Sequence, residues 1–183
     1  MPRTLAASRS RSGITLLELC TVVIVIGILA VLLYPVMAWY GERARRLACT
    51  QNLKGLYSAT SAYINANEGR WPQIKLNAQQ PQDYARGWYE ILHPYGLAWV
   101  NFICPSVQKK SGNPDYSNPK YNRTDYAAMV FDDKPWTCKK WPKTPWFVER
   151  QSMHGAGQLF ILTDGTIIDL NEARKMGTQP QNP

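Results

Sequence analysis

Residues 13–40 read GITLLELCTVVIVIGILAVLLYPVMAWY. From Leu19 to Trp39 there is no charged side chain, and about 20 such residues let a helix cross the hydrocarbon core of a bilayer. One acid, Glu18, stands at the head of the run, behind the basic dodecapeptide MPRTLAASRSRS. An unpaired carboxylate in an apolar medium is strongly disfavoured, so Glu18 requires a compensating partner that a plain membrane anchor does not supply.

Working outward, Arg3, Arg9 and Arg11 precede the apolar run and predict that this end stays in the cytoplasm. Arg43, Arg45 and Arg46 just past the far end weaken that bias. The run exceeds the apolar core of an ordinary signal peptide, and Val36-Met37-Ala38 is a poor small-residue cleavage site. Pro35 removes one backbone donor, so the helix is expected to kink or loosen just before it.

After Gly41 the pattern becomes one-sided. Leu47, Cys49, Leu53, Leu56, Tyr57, Thr60, Tyr63 and Ile64 recur mostly at three- and four-residue steps, while Arg43, Arg46, Lys54, Asn65 and Glu68 lie largely off that stripe. A helix from Ile14 to Ala66 would be roughly 80 Å long, stopped by Asn67-Glu68-Gly69 and Pro72.

Residues 71–103 are irregular, with a short helix expected around Asp83–Tyr95 that turns Trp88, Ile91 and Leu92 inward. Residues 104–147 read as loops around short strands, with one strand over Tyr126–Phe131. The stretch WTCKKWPKTPWF interleaves Trp136, Trp141 and Trp146 with Lys139, Lys140 and Lys143. Such a mixture suits either a stacking surface for a ligand or a proline-stiffened loop with its tryptophans tucked inward. The clearest local signal lies at Gln158–Leu170, where two β-branched arms flank Asp164-Gly165; this predicts a hairpin with a two-residue turn, central to a small antiparallel sheet. Residues 171–183 read as a polar tail.

Four segments follow: 1–13, 14–40, 41–70 and 71–183. The net charge of +8 is spread along them, each of the basic leader, residues 41–70 and residues 71–183 carrying +3 and Glu18 subtracting one. The C-terminal part is mildly basic and well mixed, so nucleic acid is not the expected partner. A core drawn from 71–183 alone is small, and the helical stripe after residue 40 is expected to complete it. The fold class is therefore α+β: a long N-terminal helix, apolar in its first half and amphipathic in its second, packed on a small antiparallel sheet.

Gly13-Ile14-Thr15-Leu16-Leu17-Glu18-Leu19 resembles the processing site of type IV prepilins and the related pseudopilins, and Pro35 stands where that family commonly has a proline. Residues 42–54 (ERARRLACTQNLK), Phe102-Ile103-Cys104-Pro105-Ser106, His154-Gly155 and Phe160 to Gly165 resemble elements of the pseudopilin-like proteins of Planctomycetes and Verrucomicrobia. Two departures are Ile14, where phenylalanine is more usual, and Thr166, where relatives often have histidine. The resemblance implies a precursor held in the inner membrane, leader cytoplasmic and head periplasmic. A prepilin peptidase would cut between Gly13 and Ile14, usually with methylation of the new amine. An inner-membrane assembly platform would then move the subunit into a homopolymer, or a mixed filament with other pilins, that is extracellular or spans the periplasm. Glu18, one turn beyond Ile14, would neutralise the amine of a neighbouring subunit. The alternatives are a type II secretion pseudopilin and a membrane-tethered binding module using the Trp/Lys-rich loop.

Cys49, Cys104 and Cys138 fall beyond the membrane segment and permit three pairings. Cys49 with Cys104 is preferred because Cys49 lies on the inward stripe, with Cys104–Cys138 second. Some pseudopilins that resemble this chain bind calcium in a C-terminal loop, and Asp125, Asp132, Asp133 and Asp164 are the candidate oxygen ligands, without EF-hand spacing. No other cofactor is expected. His93 and His154 accompany no nucleophile motif, so an enzyme is not expected.

Overall fold

A computed structural model describes residues 15–74, 83–152 and 157–177. The chain divides into two compact units, Met1–Gly41 and Glu42–Pro183. Helix α1 (Leu16–Ala66) supplies the first unit and begins the second. The Glu18 N–H donates to Thr15 Oγ1 at 3.3 Å, which fills one of the open donors of the first turn. The helix continues through Pro35 without a break.

At its other end α1 stops as the sequence indicates. The Gly69 N–H donates to Ile64 O at 2.8 Å, and the left-handed residue before it is Glu68, at φ 55°. Gly69 is itself at φ 80°, and a Cβ there would lie 2.5 Å from the Trp136 ring. A close aromatic lid and a positive φ both require glycine at this point.

Among the described residues the other α-helices and strands are α2 (Asp83–Leu92), α3 (Pro105–Ser111), β1 (Tyr126–Ala128), β2 (Pro145–Glu149), β3 (Leu159–Leu162), β4 (Ile167–Asp169) and α4 (Leu170–Gly177), with short 3-10 turns between them. The four strands form an antiparallel sheet in the order β1-β2-β3-β4, each pairing with its sequence neighbour. The long helix packs its second half on this sheet. Cys49, Leu53, Leu56, Thr60 and Ile64 form its buried face, at the steps that keep side chains on one side of a helix. Tyr57 lies 4.9 Å from the Trp146 ring and donates its hydroxyl proton to Thr163 O at 3.0 Å. Trp71 is the centre of an aromatic cluster with Trp88, Phe131, Trp146 and Phe147, at ring separations of 4.8 to 6.1 Å. Edge-on contacts of this kind add to the burial of the rings themselves.

Several expectations are corrected. Leu47 is 58% exposed; it precedes Cys49 by two residues, which places it about 200° round the helix from the buried stripe. The first strand ends at Ala128 rather than Phe131. β2, which lies inside the sheet between β1 and β3, is missing from the sequence reading because a bulge breaks its alternation. The register shifts between Pro145 and Phe147, so Trp146 is an extra residue, and both Trp146 and Phe147 are buried beside Trp71.

The β3–β4 hairpin has a three-residue loop, not two. The Gly165 N–H donates to Leu162 O and the Leu162 N–H to Thr166 O, with Gly165 at φ 80°. This is a type I turn closed by a left-handed glycine, the usual three-residue solution. β4 is an edge strand, so the hairpin is central only through β3. The expected polar tail begins instead as α4. Asp169 caps it, its Oδ1 accepting from the Asn171 and Glu172 N–H groups, while Glu172 Oε2 accepts from the Asp169 N–H. That reciprocal pair is a capping box. α3 likewise opens with Pro105 at its first position and ends at Gly112, φ 63°.

Candidate functional site

The first candidate is the N-terminal part of α1. It is the one described helix long and apolar enough to cross a membrane, with a mean hydropathy of 2.9 over its best window and none of that window buried. Leu16 is 81% exposed and Val31 74%. Apolar side chains in such density need lipid or other apolar helices around them. Glu18 is exposed within the first turn of this helix. It is the acid that the helix carries along its apolar length, with the next ones at Glu42 and beyond. Gly13 and Ile14 lie outside the described residues. Pro35 lies in the continuous helix.

The second candidate is the point where α1 is fastened to the rest of the head. Cys49 and Cys104 form a disulfide with their Cα atoms 5.3 Å apart, and Cys138 is a buried free thiol whose pKa burial pushes up. The preferred pairing is thus the one that forms. Two buried carboxylates flank it. Asp125 Oδ2 accepts from the Cys104 N–H at 2.7 Å and Asp125 Oδ1 from the Tyr116 hydroxyl at 2.6 Å. Glu149 Oε2 accepts from the Leu159 N–H at 3.1 Å. Desolvation raises the Asp125 pKa above the ordinary carboxylate range, against the opposing hydrogen bonds from Tyr116 and Cys104. The same burial, with the Asp125 bond, raises the Tyr116 hydroxyl.

Among the described residues, Cys49, Cys104 and Glu149 are the group of three metal-ligand types whose ligand atoms lie within 4.8 Å of one another. Joined as a disulfide, the two sulfurs offer no thiolate, the form that binds metal. No three of Asp125, Asp132, Asp133 and Asp164 form such a cluster among the described residues. Asp125 is committed to the staple just described. Asp132 and Asp133 are exposed, and Asp164 accepts from the Thr166 N–H within the hairpin loop, which lowers its pKa.

The Trp/Lys stretch divides. Trp146 is fully buried, its Nε1–H donating to Cys138 O at 3.0 Å, so it is a core residue and not part of a surface. Trp136 and Trp141 are 49% and 60% exposed, with Lys139 Nζ 5.0 Å from the Trp136 ring centre and Lys140 Nζ 5.1 Å from that of Trp141. Lys143 is exposed beside them in sequence at φ 63°. His93 stacks on Tyr89 at 4.9 Å, with Nδ1 3.2 Å from Leu97 O; His154 lies outside the described residues.

Sequence reasoning missed Glu149 and the role of Asp125. Glu149 closes a five-residue strand and nothing in its neighbours marks it as buried; its partners come from the folded sheet. No protein-family model, curated protein or solved structure matches this chain.

Proposed function

We propose that this chain is the precursor of a structural subunit of a type IV pilus-like filament, cut by a prepilin peptidase between Gly13 and Ile14 and assembled through its N-terminal helix. One observation carries the reading: α1 joins an exposed apolar stretch with a single acid near its start to a half that packs in a small α+β head. A membrane-associated helix of this build needs a cover at every stage. Lipid provides it for the precursor and neighbouring α1 helices for the filament. Within such a bundle a carboxylate next to an amine is far less costly than either charge alone, so Glu18 against the new amine of an adjacent subunit sets the stagger between copies.

The test is intact mass with N-terminal sequencing of the protein from membrane and sheared-surface fractions. A chain beginning at Ile14 in the sheared fraction, heavier by one methyl group, supports the filament subunit. The same mature chain confined to the envelope supports a type II secretion pseudopilin. A chain retaining Met1 to Gly13 in functional cells overturns both and leaves a membrane-tethered module. Glu18→Ala is expected to be cut normally and to give no ordered filaments; ordinary filaments from that variant would sink the proposed role of the acid.

A further inference from the structure

A cleft of about 300 Å³ opens in the head between α2, the segment leading into β1 and the residues that follow β2. Two arginines line it, each held by an aromatic face. The Arg123 guanidinium lies 5.0 Å from the Tyr116 ring centre, and that of Arg150 lies 5.1 Å from the Tyr84 ring centre. Neither forms an ion pair within 4.0 Å among the described residues. A guanidinium stacked on a ring keeps the donors at its edge for a planar, bidentate acceptor.

Asp125 is the frame for both cations. Its side chain holds Tyr116, on which Arg123 stacks, and its carbonyl accepts the Arg150 N–H at 2.8 Å. Arg150 Nε–H also donates to Tyr126 O at 3.4 Å. The Asp125 oxygens are occupied by Cys104 and Tyr116, and two guanidiniums against one carboxylate leave the cleft net positive.

Further polar groups ask for more than a bare anion. The Tyr84 hydroxyl oxygen accepts from the Ala128 N–H at 2.8 Å, which leaves the hydroxyl proton free to donate. Asn122, in the left-handed region at φ 47°, lines the cleft with its Oδ1 buried and without a protein partner. A ligand that satisfies the site therefore combines a carboxylate with a neighbouring hydroxyl that accepts the Tyr84 proton. The volume is at the low end for ligand pockets and suits a single sugar ring. We propose that this cleft binds an acidic sugar, one uronate unit, with Arg123 and Arg150 taking its carboxylate and the Tyr84 hydroxyl donating to one of its hydroxyls.

The test uses the full chain in detergent micelles, titrated at constant ionic strength with D-glucuronate, D-glucose and inorganic phosphate by calorimetry. Saturable glucuronate binding is expected, with glucose and phosphate each at least ten-fold weaker. Arg123→Gln and Arg150→Gln should each weaken glucuronate binding ten-fold or more at an unchanged melting temperature, while Lys109→Gln leaves it intact. Should Arg150→Gln fail to fold, Arg123→Gln alone decides the matter. Phosphate binding as tight as glucuronate overturns the sugar, and absence of saturation, or an equal loss in Lys109→Gln, overturns the site.

Discussion

Asp125 shows how one buried carboxyl can organise a head domain. Its two oxygens and its backbone reach the disulfide-bonded Cys104, Tyr116, Phe102 and Arg150. Burial holds its pKa above the value of the unfolded chain, where an aspartate titrates near about 3.9. The folded state then binds the proton more tightly than the unfolded one. Its contribution to stability is complete below the ordinary value and is lost as pH rises through the folded value. Asp164 has the opposite sign: held low by the Thr166 N–H, it stabilises above the ordinary value and ceases to do so as pH falls through its lowered one. Asp125→Asn removes the first contribution and keeps the second. The urea midpoint of the wild type should therefore gain on that of the variant as pH is lowered toward about 4, and a constant difference between the two would contradict this.

At the scale of elements, the strand that matters most is the one with least periodicity. Trp146 is the inserted residue of the β2 bulge and touches Tyr57 and Trp71, whereas Trp141, five residues earlier, is on the surface. Trp146→Ala should cost about 3–5 kcal/mol in chemical denaturation. Trp141→Ala should stay within about 0.5 kcal/mol of the wild type. The cap of α4 offers a gentler test. Asp169→Ala removes the acceptor of two N–H groups and the partner of Arg46, 3.6 Å away, and should cost about 1 kcal/mol, with loss of protection at the Asn171 and Glu172 amides in hydrogen exchange. The signature Asp169-Leu170-Asn171-Glu172 and Pro105 ahead of Gly112 stand in the chain, although the polar composition of 171–183 and the loop-like composition of 104–112 mask both helices in the sequence reading. Both are short-range signals that long-range packing did not alter.

For the whole molecule, the tie between α1 and the rest of the head is covalent as well as apolar. Cys49 and Cys104 are 55 residues apart, and closing a loop of that length in the unfolded chain corresponds to about 4 kcal/mol by chain entropy. The Cys49→Ser, Cys104→Ser double variant should lose stability on that order in detergent, and reductant should then leave it unaffected. Reductant should lower the wild type to the same level. A variant as stable as the oxidised wild type would show that the packing of Leu53, Leu56 and Ile64 holds α1 without help.

The long helix, its apolar first half, its stop and its inward stripe from Cys49 onward were determined by the sequence alone. Each depends on residues three or four apart or on a run of one character, and such patterns survive any tertiary arrangement. The hairpin was legible for the same reason, down to the glycine, although the loop length depended on how the strands paired. What only the tertiary structure decided was the order of the sheet, the bulge that buries Trp146, the choice of Cys104 over Cys138, and the meeting of Asp125, Arg123 and Arg150 around one cleft. Those depend on residues brought together across tens of positions, where burial and register, not local spacing, decide which side chains face each other.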